Sequence, residues 1–207
     1  MEVSTWLAFF AASWAISISP GAGAVAAMTA GVNHGFRRGF VVCFGLVLGI
    51  WTQVLIVGAG LGAIVATSAT AFFVIKWLGV SYLVWLGIQQ WRTPAVPLVE
   101  QAHAVGLASR RTMVLEGWMV NAVNPKGTVF LLAVVPQFLN LSEPLWPQYG
   151  VIALTLAFTD MVVMGGYTAL AARILAALKS PAHLIVINRI FGALFVLAGS
   201  MLALFKR

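Results

Sequence analysis

The chain has 207 residues, of which 61% are hydrophobic and only 8% are charged, and its formal net charge is +7. Soluble domains contain about 25% charged residues, and a small protein needs a large share of polar surface. The composition therefore excludes a cytosolic enzyme, a secreted disulfide scaffold and a disordered chain, and it predicts an integral membrane protein.

Long continuous apolar stretches predict a fold made of membrane-spanning helices. Because each crossing needs about 20 residues, the length allows about six crossings with short loops and no soluble domain beside them. We predict one transmembrane domain over residues 1–207, of the all-α class. Its six spans are expected at about 5–30, 40–65, 70–91, 112–136, 148–172 and 188–205, with breaks at 33–39, 67–70, 92–111, 142–144 and 179–181.

The first and fourth spans each contain a proline, Pro20 and Pro125. Proline inside a helix removes a backbone hydrogen bond and clashes with the preceding turn. The residues before the two prolines, Ser19 and Asn124, are of types favoured as N-caps, and proline is favoured at the first helical position. Each site therefore predicts a helix start inside a span, and two gently kinked helices without a binding site are the alternative.

The two prolines lie about half a chain length apart, each in the first span of a three-span half. An odd number of spans per half makes the second half enter the membrane from the opposite side. We therefore predict two inverted three-helix repeats, at about residues 1–95 and 106–207. Paired interruptions in corresponding spans of inverted repeats indicate the central site of a secondary transporter.

The interrupted helices also predict the chemistry of that site. A half-helix N-terminus presents unpaired N–H groups and a partial positive charge of about half a unit. Two such ends meeting near the membrane midplane would form a pocket for an anionic group. Exposed backbone is tolerated at that depth only where it is buried in protein or lines a polar cavity.

Several polar residues fall deep inside the predicted spans. Asp160 lies about 12 residues into the fifth span, or about 18 Å deep at 1.5 Å per residue. A carboxylate there is costly and indicates a functional site or a buried ion pair. Lys126, Asn124 and Gln53 reach a similar depth. Three roles fit Asp160: a proton carrier, a contact for a substrate ammonium group, and a counter-ion for Lys126 alone.

Most lysines and arginines fall in or beside the loops after the first, third and fifth spans. Cytoplasmic loops concentrate these residues, so we expect those loops inside the cell and both termini in the periplasm. This distribution also accounts for the positive net charge without a nucleic-acid partner. Glu116 lies near Arg110 and Arg111, and we expect an interfacial ion pair there.

The remaining reactive residues do not form a recognisable metal, cofactor or catalytic pattern. The single cysteine, Cys43, excludes an intramolecular disulfide and a CxxC redox pair. The three histidines are scattered in or near loops, unlike a metal site. No nucleophile–base motif and no phosphate-binding glycine loop is present in the sequence. We therefore expect a protein that is not an enzyme and that uses no cofactor or metal.

Glycines recur four residues apart inside the spans, for example Gly45 and Gly49. This spacing lets two helix backbones approach closely. Static packing and sliding surfaces in a moving transporter are both consistent with it.

Taken in order, the short motifs of the chain resemble those of the LysE/RhtB family of small amino-acid exporters, along the whole length. These motifs are residues 19–23, 76–79, 82–87, 124–126, 136–138 and 188–192. Many members of the family read Pro-Gly-Pro in the first span, whereas this chain has Ala22 in place of the second proline. That departure, with residues 33–35 and 87–92, resembles the homoserine branch of the family.

The resemblance implies efflux of homoserine, homoserine lactone or a related neutral amino acid such as threonine, across a bacterial inner membrane and coupled to the proton-motive force. We expect an alternating-access proton antiporter whose partners are the amino acid, protons and the lipid bilayer, and a homodimer is left open. A passive channel and a metal-ion exporter of related fold are the alternatives. The candidate substrate-binding residues are Ser19, Pro20, Gly21, Gly23, Gln53, Asn121, Asn124, Pro125 and Lys126, and Asp160 is the candidate for proton coupling.

Overall fold

A computed structural model of the protein describes residues 1–67, 69–92, 109–171 and 181–204. Most of these residues are helical, and within these ranges no strand is formed. The predicted turn at Ser68 and most of the predicted loop at 92–111 lie outside the described residues. The helices are α1 (Val3–Ile18), α2 (Ala22–Gly39), α3 (Val41–Thr67), α4 (Ala69–Arg92), α5 (Arg110–Ala122), α6 (Pro125–Phe138), α7 (Leu145–Ala169) and α8 (Pro181–Leu204).

Two spans are broken helices, at the two predicted prolines. The axes of α1 and α2 differ by 57°, and those of α5 and α6 differ by 53°. At the second break the prediction is confirmed in detail, because Pro125 is the first residue of α6 and Asn124 is its N-cap. The Asn124 side chain accepts a hydrogen bond from the backbone N–H of Lys126 at 3.1 Å.

At the first break the predicted cap is wrong. Ser19 is the C-cap of α1 rather than the N-cap of α2, which begins at Ala22 with Gly21 as its N-cap. The physical reason is the proline that follows. Pro20 has no N–H to continue the α1 ladder, and it disfavours helical geometry at the preceding residue. Ser19 is accordingly extended, at φ −63° and ψ 118°.

The predicted loop at residues 33–39 is also wrong, because α2 continues to Gly39 and only Phe40 separates it from α3. Inside that stretch only Gly35 leaves helical geometry, with φ 70° and ψ 172°. Glycine adopts a positive φ without the steric cost of a Cβ, so the helix kinks there instead of ending. The polar composition of this segment reflects the end of a helix.

Two single helices are long and apolar enough to cross a membrane, Val41–Gly60 of α3 and Leu145–Ala169 of α7, and the two broken pairs meet the same test when each is taken as one span. The chain is thus an all-helical membrane protein with two to four such spans identified among the described residues. The prediction of six spans stays a prediction.

Close contact between α3 and α5 depends on glycine. A Cβ on Gly45 would collide with the backbone carbonyl of Val114, and one on Gly49 would lie 2.6 Å from the Cβ of Asn121. The predicted close approach of backbones at these glycines is therefore confirmed. It places Asn121 and the end of α5 directly against α3.

Two apolar clusters flank the middle of α7. One includes Phe9, Leu131 and Leu156, and the other includes Met28 and Met164. Asp160 lies on α7 one helical turn from Leu156 and one turn from Met164. The carboxylate is thus placed where the two clusters meet.

Candidate functional site

A small cavity of about 70 Å³ lies where the two broken helices meet α3 and α7. A single buried water needs about 10–15 Å³, so this cavity is large enough for several. Its apolar lining comes from both clusters, and its polar lining comes from the helix breaks, from α3 and from α7. The lining residues are Ile16, Ser17, Ser19, Gly21, Gly23, Ala24, Ile50, Gln53, Asn121, Asn124, Lys126, Gly127, Phe130, Leu131, Leu156, Asp160 and Met164.

Two asparagine side chains form hydrogen bonds at the break between α5 and α6. Asn124 uses its Oδ1 to cap α6 and its Nδ2 to donate to Oδ1 of Asn121, at 3.3 Å. Asn121 in turn donates from Nδ2 to the backbone carbonyl of Leu46 on α3, at 3.0 Å. These bonds satisfy the polar groups of the break and fix the N-terminus of α6 at the cavity.

Lys126 joins the two broken helices. Its Nζ donates to the backbone oxygen of Ser19 at 2.8 Å and to the Oγ of Ser19 at 2.7 Å. Ser19 ends α1, and a cation is favourable at a helix C-terminus. A Cβ on Gly21 would lie 3.6 Å from the same Nζ, so the start of α2 is also beside the ammonium group.

Gln53 reaches from α3 to the first turn of α6. Its Nε2 donates to the backbone oxygen of Asn124 and to Oγ1 of Thr128, both at 2.9 Å. A carbonyl can only accept, so this pair of bonds assigns the amide NH₂ to the Asn124 side. The Gln53 Oε1 then lies over Gly127, 2.6 Å from where a Cβ would be. Gln53 and Gly127 both line the cavity, and the Gln53 Oε1 is a hydrogen-bond acceptor.

Asp160 supplies a carboxylate to the cavity wall. The residue is 6% exposed, and its Oδ2 is buried with no hydrogen-bond partner among the residues that the structure describes. Leaving a buried acceptor unsatisfied is costly, and such groups in native proteins call for an explanation such as a ligand or an ion. Beside it, the hydroxyls of Ser17 and Thr159 are 3.2 Å apart. Lys126 lines the same cavity as Asp160, so one basic and one acidic side chain lie in its wall.

The structure brings most of the predicted site residues together around this one cavity. Pro20 and Pro125 are not in its lining and act instead by ending α1 and starting α6. The lining residues predicted from the sequence are Ser19, Gly21, Gly23, Gln53, Asn121, Asn124, Lys126 and Asp160.

Sequence reasoning missed several polar neighbours of the site. Ser17 and Gly127 line the cavity, Thr128 holds the amide of Gln53, and Tyr167 donates to the backbone oxygen of Ile18 at 2.6 Å. Ser17 and Thr128 are small polar residues within four positions of a predicted break, which was the available signal. Tyr167 lies 149 positions from its partner, so no local pattern could indicate it.

Two broken helices that meet at a cavity, with a lysine and an aspartate in its wall, are typical of membrane transport proteins. Within that class, residues 14–205 match the LysE type translocator family. The chain belongs to this family, whose named members include amino-acid efflux proteins.

Individual relatives agree with the family match. The chain is 40% identical to the homoserine/homoserine lactone efflux protein of Salmonella typhimurium over 203 residues, 98% of each chain. It is 39% identical to a membrane protein of Vibrio cholerae that is named uncharacterized, over the full length of both. It is 26% identical to the leucine efflux protein of an Enterobacter species over 184 residues, 87% of this chain and 86% of that one. No solved structure gives a significant match.

Proposed function

We propose that this protein is a secondary active exporter of small neutral amino acids, with homoserine, homoserine lactone and threonine as its candidate substrates, and that it works by proton antiport with alternating access. The observation that carries the proposal is the presence of a lysine and an aspartate in the wall of one cavity: the ammonium group of Lys126, and an Oδ2 of Asp160 that has no hydrogen-bond partner among the described residues. A zwitterionic amino acid presents the complementary pair of charges.

The proposed binding pose follows from these charges. The substrate carboxylate binds Lys126 and the N-terminal turn of α6, because both attract anions. The substrate ammonium binds Oδ2 of Asp160, which has no hydrogen-bond partner within residues 1–67, 69–92, 109–171 and 181–204. Homoserine lactone has no carboxylate, so its ester carbonyl would accept these hydrogen bonds less strongly.

Gln53 is the candidate for recognition of the substrate side chain. Its Oε1, an acceptor, lies beside Gly127, and both residues line the cavity, while Nε2 donates to Asn124 and Thr128. A hydroxyl group on the substrate could donate to this oxygen, whereas an aliphatic side chain could not. This arrangement favours hydroxylated amino acids, in line with the names of the homoserine efflux relatives.

The packing of the helices supports the proposal of two inverted repeats, residues 1–95 and 106–207, with six spans in all. α3 packs on α5 and α6, the broken helix of the other half, and α7 packs on α1 and α2 in the same way. α4 and α8, the last helices of the two halves, pack on each other. Such reciprocal contacts are expected when one half repeats the other. Alternating access would then be a rocking of the two halves around the cavity.

The test is counterflow in proteoliposomes loaded with unlabelled homoserine, threonine or leucine. We expect labelled homoserine to enter vesicles that contain homoserine, and we expect a pH gradient to drive its accumulation above the outside concentration. A passive channel would only equilibrate the label, with or without the gradient. Absence of counterflow with every amino acid would overturn the proposed function.

A further inference from the structure

A second concave surface lies between α3 and α5 and shares no lining residue with the central cavity. It is a groove of about 830 Å³. The proposed transport cycle does not use it. Its lining residues are Leu48, Trp51, Thr52, Leu55, Arg110, Arg111, Val114, Leu115 and Trp118.

The walls of the groove are apolar, because their polar groups already have partners in the protein. The indole N–H of Trp118 donates to Thr52 Oγ1 at 3.1 Å, and that hydroxyl donates to the backbone oxygen of Leu48 at 2.9 Å. The indole N–H of Trp51 donates to the backbone oxygen of Ala153 at 3.2 Å. Leu55 and Leu115 are exposed. The groove therefore offers hydrocarbon and aromatic surface along its length.

One end of the groove is strongly cationic. Arg110 and Arg111 are consecutive, exposed residues at the start of α5. The expected ion pair between Glu116 and either arginine is not formed, and within residues 1–67, 69–92, 109–171 and 181–204 neither guanidinium has an ion-pair partner. The groove thus combines a hydrocarbon-binding wall with two guanidinium groups at one end.

We propose that this groove binds an anionic phospholipid, with the phosphate on the two guanidinium groups and an acyl chain along Trp51, Leu55 and Leu115. Arginine matches a phosphate with paired hydrogen bonds, and basic pockets between membrane helices are suited to anionic headgroups. A zwitterionic lipid such as phosphatidylcholine also carries a phosphate, but its trimethylammonium group would lie close to the two guanidinium groups, and these like charges repel one another. A second copy docked face to face in the same membrane orientation would bring two arginine pairs together, and like charges would oppose it.

Native mass spectrometry of the full chain in detergent tests this proposal, with phosphatidylglycerol and phosphatidylcholine of identical acyl chains added at equal concentration. We expect the wild type to retain phosphatidylglycerol on the order of tenfold more strongly than phosphatidylcholine. The double variant Arg110→Gln/Arg111→Gln should lose this preference. The control Arg37→Gln/Arg92→Gln removes the same charge from two other exposed arginines and should keep it.

A third variant distinguishes the contribution of the apolar wall to lipid binding from that of the arginines that contact the headgroup. Leu55→Ser makes the wall more polar and should weaken retention of both lipids while leaving their ratio unchanged. Equal retention of the two lipids by the wild type would overturn the proposal, as would equal loss of preference in the two arginine variants. A dimer mass without bound lipid that disappears in Arg110→Gln/Arg111→Gln would identify the occupant as a second copy and would also overturn it.

Discussion

At the scale of single residues, the chemistry of the site depends on which polar atoms already have a hydrogen-bond partner within the protein and which remain available to a ligand. Lys126 is held by Ser19, and the amide hydrogens of Gln53 are held by Asn124 and Thr128. Oδ2 of Asp160 is an acceptor without a hydrogen-bond partner among the described residues, and Oε1 of Gln53 lies beside Gly127, another lining residue. The cavity wall therefore contains acceptor oxygens as well as the donor ammonium group of Lys126.

Gln53→Leu tests the role of the amide oxygen. We expect the variant to lose discrimination between homoserine and 2-aminobutyrate, which has the same carbon chain without the hydroxyl. A lost hydrogen bond to a neutral group is worth about 1 kcal/mol, so the ratio of the two apparent affinities should fall about fivefold to tenfold. The measurement is competition of each compound against labelled homoserine in counterflow.

The matched control is Thr128→Val, which removes one partner of the Gln53 amide but leaves Oε1 in place. It should alter transport of both compounds alike. If the wild type already accepts both compounds equally, the amide oxygen does not recognise the hydroxyl, whatever the protein exports.

At the scale of helices, local patterns predicted the starts and breaks only where the determining contact is local. The Asn124 cap is formed with a residue two positions away, and the sequence predicts it correctly. Ser19 was assigned to the wrong helix because the extended geometry that Pro20 imposes outweighs the preference of serine for an N-cap, and the bond from Lys126, 107 positions away, has no local signal. The kink at Gly35 was missed because the polar residues around it suggested a loop, and a single residue with a positive φ leaves no mark in the pattern of polar and apolar residues.

Close contact between α3 and α5 gives a test at this scale. Gly45→Val should destabilise the protein, because the new side chain would meet the backbone of Val114 rather than a movable side chain. Overpacking of this kind costs about 1–3 kcal/mol, so the melting temperature in detergent should fall. Gly150→Ala, in α7, is the control: a Cβ there meets nothing within 4 Å, and alanine is favoured over glycine in helices by about 0.5–1 kcal/mol. A Gly45→Val variant as stable as Gly150→Ala would mean that the helices are further apart than described.

At the scale of the whole molecule, composition and hydropathy were enough to predict a helical membrane protein, and the position of two prolines was enough to predict where its helices break. Counting residues from the start of each predicted span also placed Gln53, Lys126 and Asp160 at a similar depth in the membrane. Depth does not say which faces of the helices meet, so the partners within the cavity required the three-dimensional arrangement. The contact of Ser17 with Thr159 and that of Tyr167 with the backbone of Ile18 are examples, since each joins residues more than 140 positions apart.

In proton antiport, the protein carries the substrate in one direction and a proton in the other, so some group must bind the proton. Asp160 is the carboxylate in the lining of the central cavity. Asp160→Asn cannot take up a proton there. We therefore expect it to lose accumulation driven by a pH gradient, which for one proton per substrate can reach about tenfold per pH unit. Exchange of labelled for unlabelled homoserine should persist at a reduced rate, because asparagine still offers an oxygen to the substrate ammonium. The measurement is the ratio of internal to external homoserine in proteoliposomes under an imposed gradient.

Glu116→Gln provides the matched control for this prediction, since it makes the same change of carboxylate to amide at an exposed position outside the cavity. It should accumulate homoserine as the wild type does. Accumulation by Asp160→Asn to the wild-type ratio would show that the proton travels by another group. Loss of exchange together with accumulation would instead show that substrate binding requires the Asp160 carboxylate itself, and it would contradict the expected persistence of exchange.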